Sequence, residues 1–81
     1  MIAVKRVKVK FVSVFAEKLG KERVYELEDN ATVEDLVEII SRELEEVKSK
    51  GVVYVNYRFP RERQVLNDGD EVLIMPLYAG G

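Results

Sequence analysis

Eighty-one residues allow one domain with one modest core, and 47% hydrophobic with 35% charged residues exclude a disordered chain. Cysteine and histidine are both absent, which excludes disulfides, thiol nucleophiles, iron–sulfur ligation, imidazole acid–base catalysis and the usual zinc sites. The net charge of -2 conceals a split: residues 1–23 carry +5, residues 24–47 carry -8 and residues 48–81 carry +1.

That acidic middle argues against a nucleic-acid partner. It suits a basic protein, or is merely a solvated helix face. An all-carboxylate metal site stays open, although the acidic residues lack the loop pattern of a calcium site. No apolar run reaches membrane-spanning length, and the opening Met-Ile-Ala-Val-Lys-Arg is too short for a signal peptide. The expected place is the cytoplasm, away from any membrane.

In chain order, Lys5 to Phe15 first alternates, with Val7, Val9 and Phe11 on one face and Lys8 and Lys10 on the other, as a half-buried strand does. The alternation fails after Phe11, where Val12, Val14 and Phe15 crowd in. Ala16 to Gly20 then reads as one helical turn closed by glycine. Arg23 to Glu28 is the second strand, Tyr25 and Leu27 inward, its outward glutamates expected among Lys8 and Lys10.

Thr32 opens one long helix, capped by Thr32 and Asp35, with Glu34 and Asp35 favourably placed at its positive end. Its apolar stripe is Val33, Leu36, Val37, Ile40, Leu44 and Val47, and Gly51 stops it. Val52 to Tyr57 is the strongest strand former and reads as a central, deeply packed strand. Arg58 to Gln64 is an exposed loop in which Phe59 is the odd member and Pro60 forbids further sheet. Val65-Leu66 begins a short strand, Asn67 to Asp70 is a turn, and Glu71 to Met75 closes the sheet with Val72 and Ile74 inward and Leu73 and Met75 outward. The order β-β-α-β-β-β puts the first and last strands side by side. Val12, Phe59 and Met75 would then form one exposed apolar patch, a docking surface at the root of the tail.

The domain thus spans residues 1–75, and residues 76–81 form a tail, Pro76-Leu77-Tyr78-Ala79-Gly80-Gly81. Two successive glycines give up much backbone entropy on ordering, so the tail is expected to be flexible until something binds it. Without side chains, Gly80 and Gly81 fit a slot too narrow for other residues and would present the Gly81 carboxylate at its far end. A frayed end or an artificial linker would look the same taken alone.

Read together, these features resemble the ubiquitin-like β-grasp sulfur carriers: the small subunit of molybdopterin synthase (the MoaD type) and its thiamine relative (the ThiS type). The resemblance rests on Val9-Lys10-Phe11, Phe15 to Gly20, Ala31 to Leu36, Val55-Asn56, Leu66 to Val72 and the Gly80-Gly81 terminus. It is nearer the molybdopterin type, because of the extended first strand and the Ala-Glu-Lys-Leu-Gly turn. Met75-Pro76-Leu77 stands where that family often has Pro-Pro, and Tyr57 with an arginine-rich loop follows Asn56.

The resemblance implies an α+β fold, a mixed sheet with one main helix packed across it. It also implies a chemistry. An adenylating enzyme of the MoeB/ThiF type would spend ATP to place AMP on the Gly81 carboxylate. Sulfur from a persulfide would displace AMP and leave a Gly81 thiocarboxylate. That terminus would enter a large synthase subunit of the MoaE type and give sulfur to a pterin precursor. Gly81 bears the sulfur, Gly80 lets the tail pass, and Leu77, Tyr78 and Ala79 line the entry. Pro76 belongs to the same approach. Phe59, Met75 and Val12 would make the apolar contacts, with Arg58, Arg61 and Arg63 at the rim. No stably bound cofactor is expected, and the catalytic side chains belong to the partners. A carrier for thiamine or tRNA thiolation, a protein modifier, and a non-catalytic binding module of the same shape remain alternatives.

Overall fold

The first strand forms where the alternation is cleanest. In the computed structural model, which describes residues 3–77, β1 runs Val4–Phe11 and buries Val7, Val9 and Phe11 on one face. A helix, α1 (Ser13–Leu19), follows at once and buries Phe15 and Leu19. It starts three residues before the expected turn, because Phe15 needs a helical backbone to reach the core that a continuing strand would deny it. Gly20 closes it at φ 93°, a conformation that favours glycine.

Strand β2 (Glu22–Glu28) pairs antiparallel with β1. The expected glutamate–lysine ladder is corrected by the register: Glu26 faces Arg6, with 3.4 Å between their charged atoms, and Lys10 turns to Glu71 on another strand at 2.9 Å.

The single long helix is two pieces, α2 (Val33–Ser41) and α3 (Glu46–Lys50). Thr32 and Asp35 form the expected reciprocal cap. The break has a local cause. The Ser41 hydroxyl donates to the Glu38 carbonyl at 2.7 Å, and the amides of Arg42 and Glu43 bond three residues back instead of four. Ile40, Leu44 and Val47 stay buried across the break, so the apolar spacing in the sequence gives no sign of it.

β3 (Gly51–Val55) and β4 (Glu71–Pro76) complete a four-stranded sheet in the order β2-β1-β4-β3. β4 lies beside β1, as expected, and pairs with it in parallel, with Val72 and Ile74 in the core. β3 is an edge strand, not a central one, and it ends at Val55, because Asn56 and Tyr57 enter the left-handed region at φ 50° and 67°. On the core side Val53 packs against the buried cluster, and on the other face the following loop reaches Tyr54 with its Phe59 ring. Val65 makes only an isolated bridge to Thr32, so no fifth strand joins the sheet among the described residues.

Two charged side chains hold this frame from inside. Lys5, 3% exposed, donates to the carbonyls of Asp29 at 2.7 Å, Ala31 at 3.0 Å and Leu66 at 2.5 Å, tying β1 to the start of α2 and to the 65–66 segment. Asp70 accepts from the Asn67 amide at 2.8 Å and from Asn56 Nδ2 at 3.0 Å. With Asp68 taking the Arg6 amide and Gly69 turning at φ 85°, the Asp68-Gly69-Asp70 run is a clamp that docks the last turn on β1.

Candidate functional site

Parallel pairing brings β1 and β4 out of the sheet at the same end. Leu77, the last described residue, donates its amide to the Lys50 carbonyl at 2.7 Å and leaves its side chain exposed. The path of the chain out of the sheet is therefore set between the end of α3 and the start of α1. Pro76 is buried and paired with Gly51. It is part of the strand, so the exposed approach begins at Leu77, one residue later than the sequence reading places it. Tyr78, Ala79, Gly80 and Gly81, with the flexibility expected of them, lie outside the described residues.

The apolar surface beside this exit is built by the strand alternation. Residues of β4 and β3 that do not enter the core, Leu73 and Met75 with Tyr54 and Val52 opposite them, are half-buried on the outer face. Phe59 is 72% exposed, and its ring lies 4.7 Å from that of Tyr54 at 38°. Val12 reaches the same face through a groove of about 460 Å³ that it lines with Lys10 and Leu73. The structure thus joins Val12, Met75 and Phe59 through Leu73 and Tyr54. Met75 and Val12 stand near the exit; Phe59 stands away from it, beyond Tyr54 at the sheet edge. Leu73 was legible as an outward residue. Tyr54 was not, because an unbroken apolar run reads as buried on both faces.

Charges frame the surface. Glu71 accepts from both Lys10 and the Tyr57 hydroxyl, the latter at 2.8 Å. These two donors hold the Glu71 carboxyl below its ordinary value, and the same bonds push Lys10 and Tyr57 up. Arg58, Arg61 and Arg63 are exposed and make no ion pair among the described residues. No group of three or more metal-ligating side chains occurs among the described residues, and no helix there is long and apolar enough to cross a membrane. Among the described residues this face is apolar apart from the Lys10, Glu71 and Tyr57 cluster at its margin. What it can do is bind and position.

The pattern that defines the ThiS family matches residues 9–81. The chain is 35% identical to the molybdopterin synthase sulfur carrier subunit of Chlamydomonas reinhardtii, over 94% of this chain and 99% of that one. Its backbone resembles a putative molybdopterin converting factor, subunit 1, from Pyrococcus furiosus, with a TM-score of 0.78, 31% identity, and 91% and 99% of the two chains covered. It also resembles a Caldiarchaeum subterraneum ubiquitin, with a TM-score of 0.66, 17% identity, and 98% and 100% covered. That last likeness bears on fold alone, and the fold is the ubiquitin-like β-grasp.

Proposed function

The chain belongs to the ThiS family, and from that premise we propose that it is a sulfur carrier whose Gly81 is adenylated, converted to a thiocarboxylate, and used to give sulfur in molybdopterin synthesis. One observation carries the reading: the match to the family runs through Gly81, and a relative aligned over nearly its whole length is a molybdopterin synthase sulfur carrier subunit.

The chemistry suits a chain with no cysteine and no histidine. A carboxylate is a poor electrophile, so it needs a leaving group. Attack of the Gly81 carboxylate on the α-phosphate of ATP forms an acyl adenylate and releases pyrophosphate. The terminal sulfur of an enzyme persulfide then attacks the acyl carbon and AMP departs. A second thiol of the enzyme attacks the sulfur that joins the enzyme to the resulting acyl disulfide, the S–S bond breaks, and an enzyme disulfide forms as the thiocarboxylate is left on Gly81. Each step draws its acid, base and thiol from a partner: an adenylating enzyme first, a large synthase subunit later. The carrier's part is to dock through Leu73, Met75, Tyr54 and Phe59, with Val12 beside the exit, while Leu77 to Gly80 thread the carboxylate to the chemistry.

The test is the intact mass of the protein after incubation with ATP, a sulfur source and its host's adenylating enzyme, beside a variant lacking Gly81. The expected result is the mass change for one oxygen replaced by sulfur, seen only with Gly81 present. No change with an enzyme shown to be active would overturn the proposal. Sulfur that reached tRNA, or an isopeptide bond from Gly81 to another protein's lysine, would keep the activation chemistry and move the acceptor.

A further inference from the structure

The two edges of the sheet are protected differently. The β2 edge, Glu22 to Glu28, carries Glu22, Arg23, Glu26 and Glu28, the charges that commonly keep an edge from pairing with other chains. The β3 edge, Gly-Val-Val-Tyr-Val, carries none. Its backbone is also partly open. Lys50 and Asn56 bond to β4, through the Leu77 amide and the Glu71 carbonyl. By the alternation of an antiparallel ladder, Gly51, Val53 and Val55 therefore point their backbone groups away from the sheet. Val55 closes with Arg58 in both directions, and the Gly51 amide closes on Val47. The N–H and C=O of Val53 are left without a partner among the described residues.

Beside this edge runs a groove of about 520 Å³ between α2 and β3, lined by Val33, Val37, Val53, Phe59 and Pro60, and by Glu34, which accepts the Arg63 amide, and the Glu38–Lys48 ion pair. Across Phe59 it meets a second hollow of about 530 Å³ lined by Arg58, Arg61, Asn56 and Gln64. An apolar trough along an open strand edge thus leads to two unpaired guanidinium groups.

We propose that the β3 edge binds an extended segment of a protein partner, which pairs with Val53, packs apolar side chains against Val37 and Phe59, and sets an acidic side chain at Arg58 and Arg61. Strand addition supplies main-chain hydrogen bonds, and the groove and arginines select the sequence. Charge decides against a second copy of this chain as the occupant. Two-fold pairing of β3 strands would bring Lys48 and Lys50 against the other copy's Arg58, Arg61 and Arg63. The surface excludes Gly81, and it shares the Phe59 ring with the docking face proposed above.

The experiment pans a phage-displayed library of random heptapeptides on the full chain. The best enriched peptide is then titrated into isotope-labelled protein by amide NMR. Alternating apolar residues with an Asp or Glu near one end are expected, shifting the Val53 and Arg58 amides and slowing exchange at Val53. An R58E/R61E double variant with an otherwise native spectrum should bind that peptide at least about tenfold more weakly, as loss of charge-assisted pairing implies. Exchanging the peptide's acid for lysine should restore binding to the variant. No enrichment, basic winners, shifts confined to Leu73 and Met75, or equal affinity for the double variant would overturn the proposal. So would a dimer in sedimentation that a V53P substitution abolishes, which would assign the edge to a second copy.

Discussion

Replacing Lys5 with methionine tests the internal frame at its most connected point. Methionine matches the length of the lysine stem and leaves the packing of β1 nearly intact, but it removes three donated hydrogen bonds. The Ala31 carbonyl keeps the Leu66 amide at 3.0 Å. The carbonyls of Asp29 and Leu66 keep no other donor among the described residues. The buried Leu66 carbonyl and the part-buried Asp29 carbonyl, left unpaired, cost up to about 1–3 kcal/mol each. Relief from burying an ammonium offsets part of that, so the net loss is about 2–4 kcal/mol. In a domain of this size such a loss lowers Tm by roughly 10–25 °C. Calorimetry or urea titration of Lys5→Met reads it directly. A variant within about 0.5 kcal/mol of the parent, the ordinary range for a surface change, would refute the view that Lys5 ties the three segments together.

A Cβ on Gly51 would lie 2.2 Å from the Val47 carbonyl oxygen, so Gly51→Ala is expected to cost about 1–3 kcal/mol through forced backbone movement; a stabilised alanine variant in thermal melts would show that α3 simply gives way. Asp35 is held below the ordinary carboxyl value by its bonds with Thr32, and Glu71 by Lys10 and Tyr57. Because both folded values are depressed, their contribution is present above about pH 4, near the unfolded values, and disappears as pH falls through the folded ones. An Asp35→Asn, Glu71→Gln double variant should therefore lose stability at neutral pH but show a flatter acid limb, and an unchanged limb would count against the reading. Leu73→Lys and Phe59→Ala should leave the melting temperature within a few degrees of the parent. Truncating Phe59 should weaken association with the activating enzyme by about 2 kcal/mol, roughly 30-fold, and unaltered affinity in calorimetric titration would remove the outer face from the docking surface.

Much of this fold is legible in the sequence. The strands that alternate, β1 and β4, were readable because Val7, Val9, Val72 and Ile74 recur at the period of a pleated strand with one face wet. The helix cap was readable because Thr32 and Asp35 stand at the spacing that reciprocal capping requires. The errors share a cause. Position within a sheet depends on what lies beside a strand, and Val52 to Tyr54 look alike whether the neighbour is another strand or only a loop folded back. The helix break was invisible because Leu44 and Val47 keep helical spacing while a serine hydroxyl redirects the backbone. Lys5 has no role in the sequence reading, although it is in phase with Val7 and Val9, since no local pattern reveals three carbonyls arriving from residues 29, 31 and 66. Of the site, Val12, Phe59 and Met75 could be named as oddly placed apolar residues. Tyr54, which connects Phe59 to the rest, needed the register of β3 on β4.

The parallel pairing of β1 with β4 also governs how the chain can fold. Lys8 finds Glu71, and Phe11 finds Ile74, only after nearly the whole sequence has been traversed. The β1–β2 hairpin can close early, yet an isolated hairpin is at best marginal in water, and β3 has no partner until β4 arrives. Insertion of β4 between β1 and β3 is thus a late event that completes both halves at once. The consequence is all-or-none assembly at a pace set by a distant pairing. A fragment ending before Glu71 should show no cooperative transition at all.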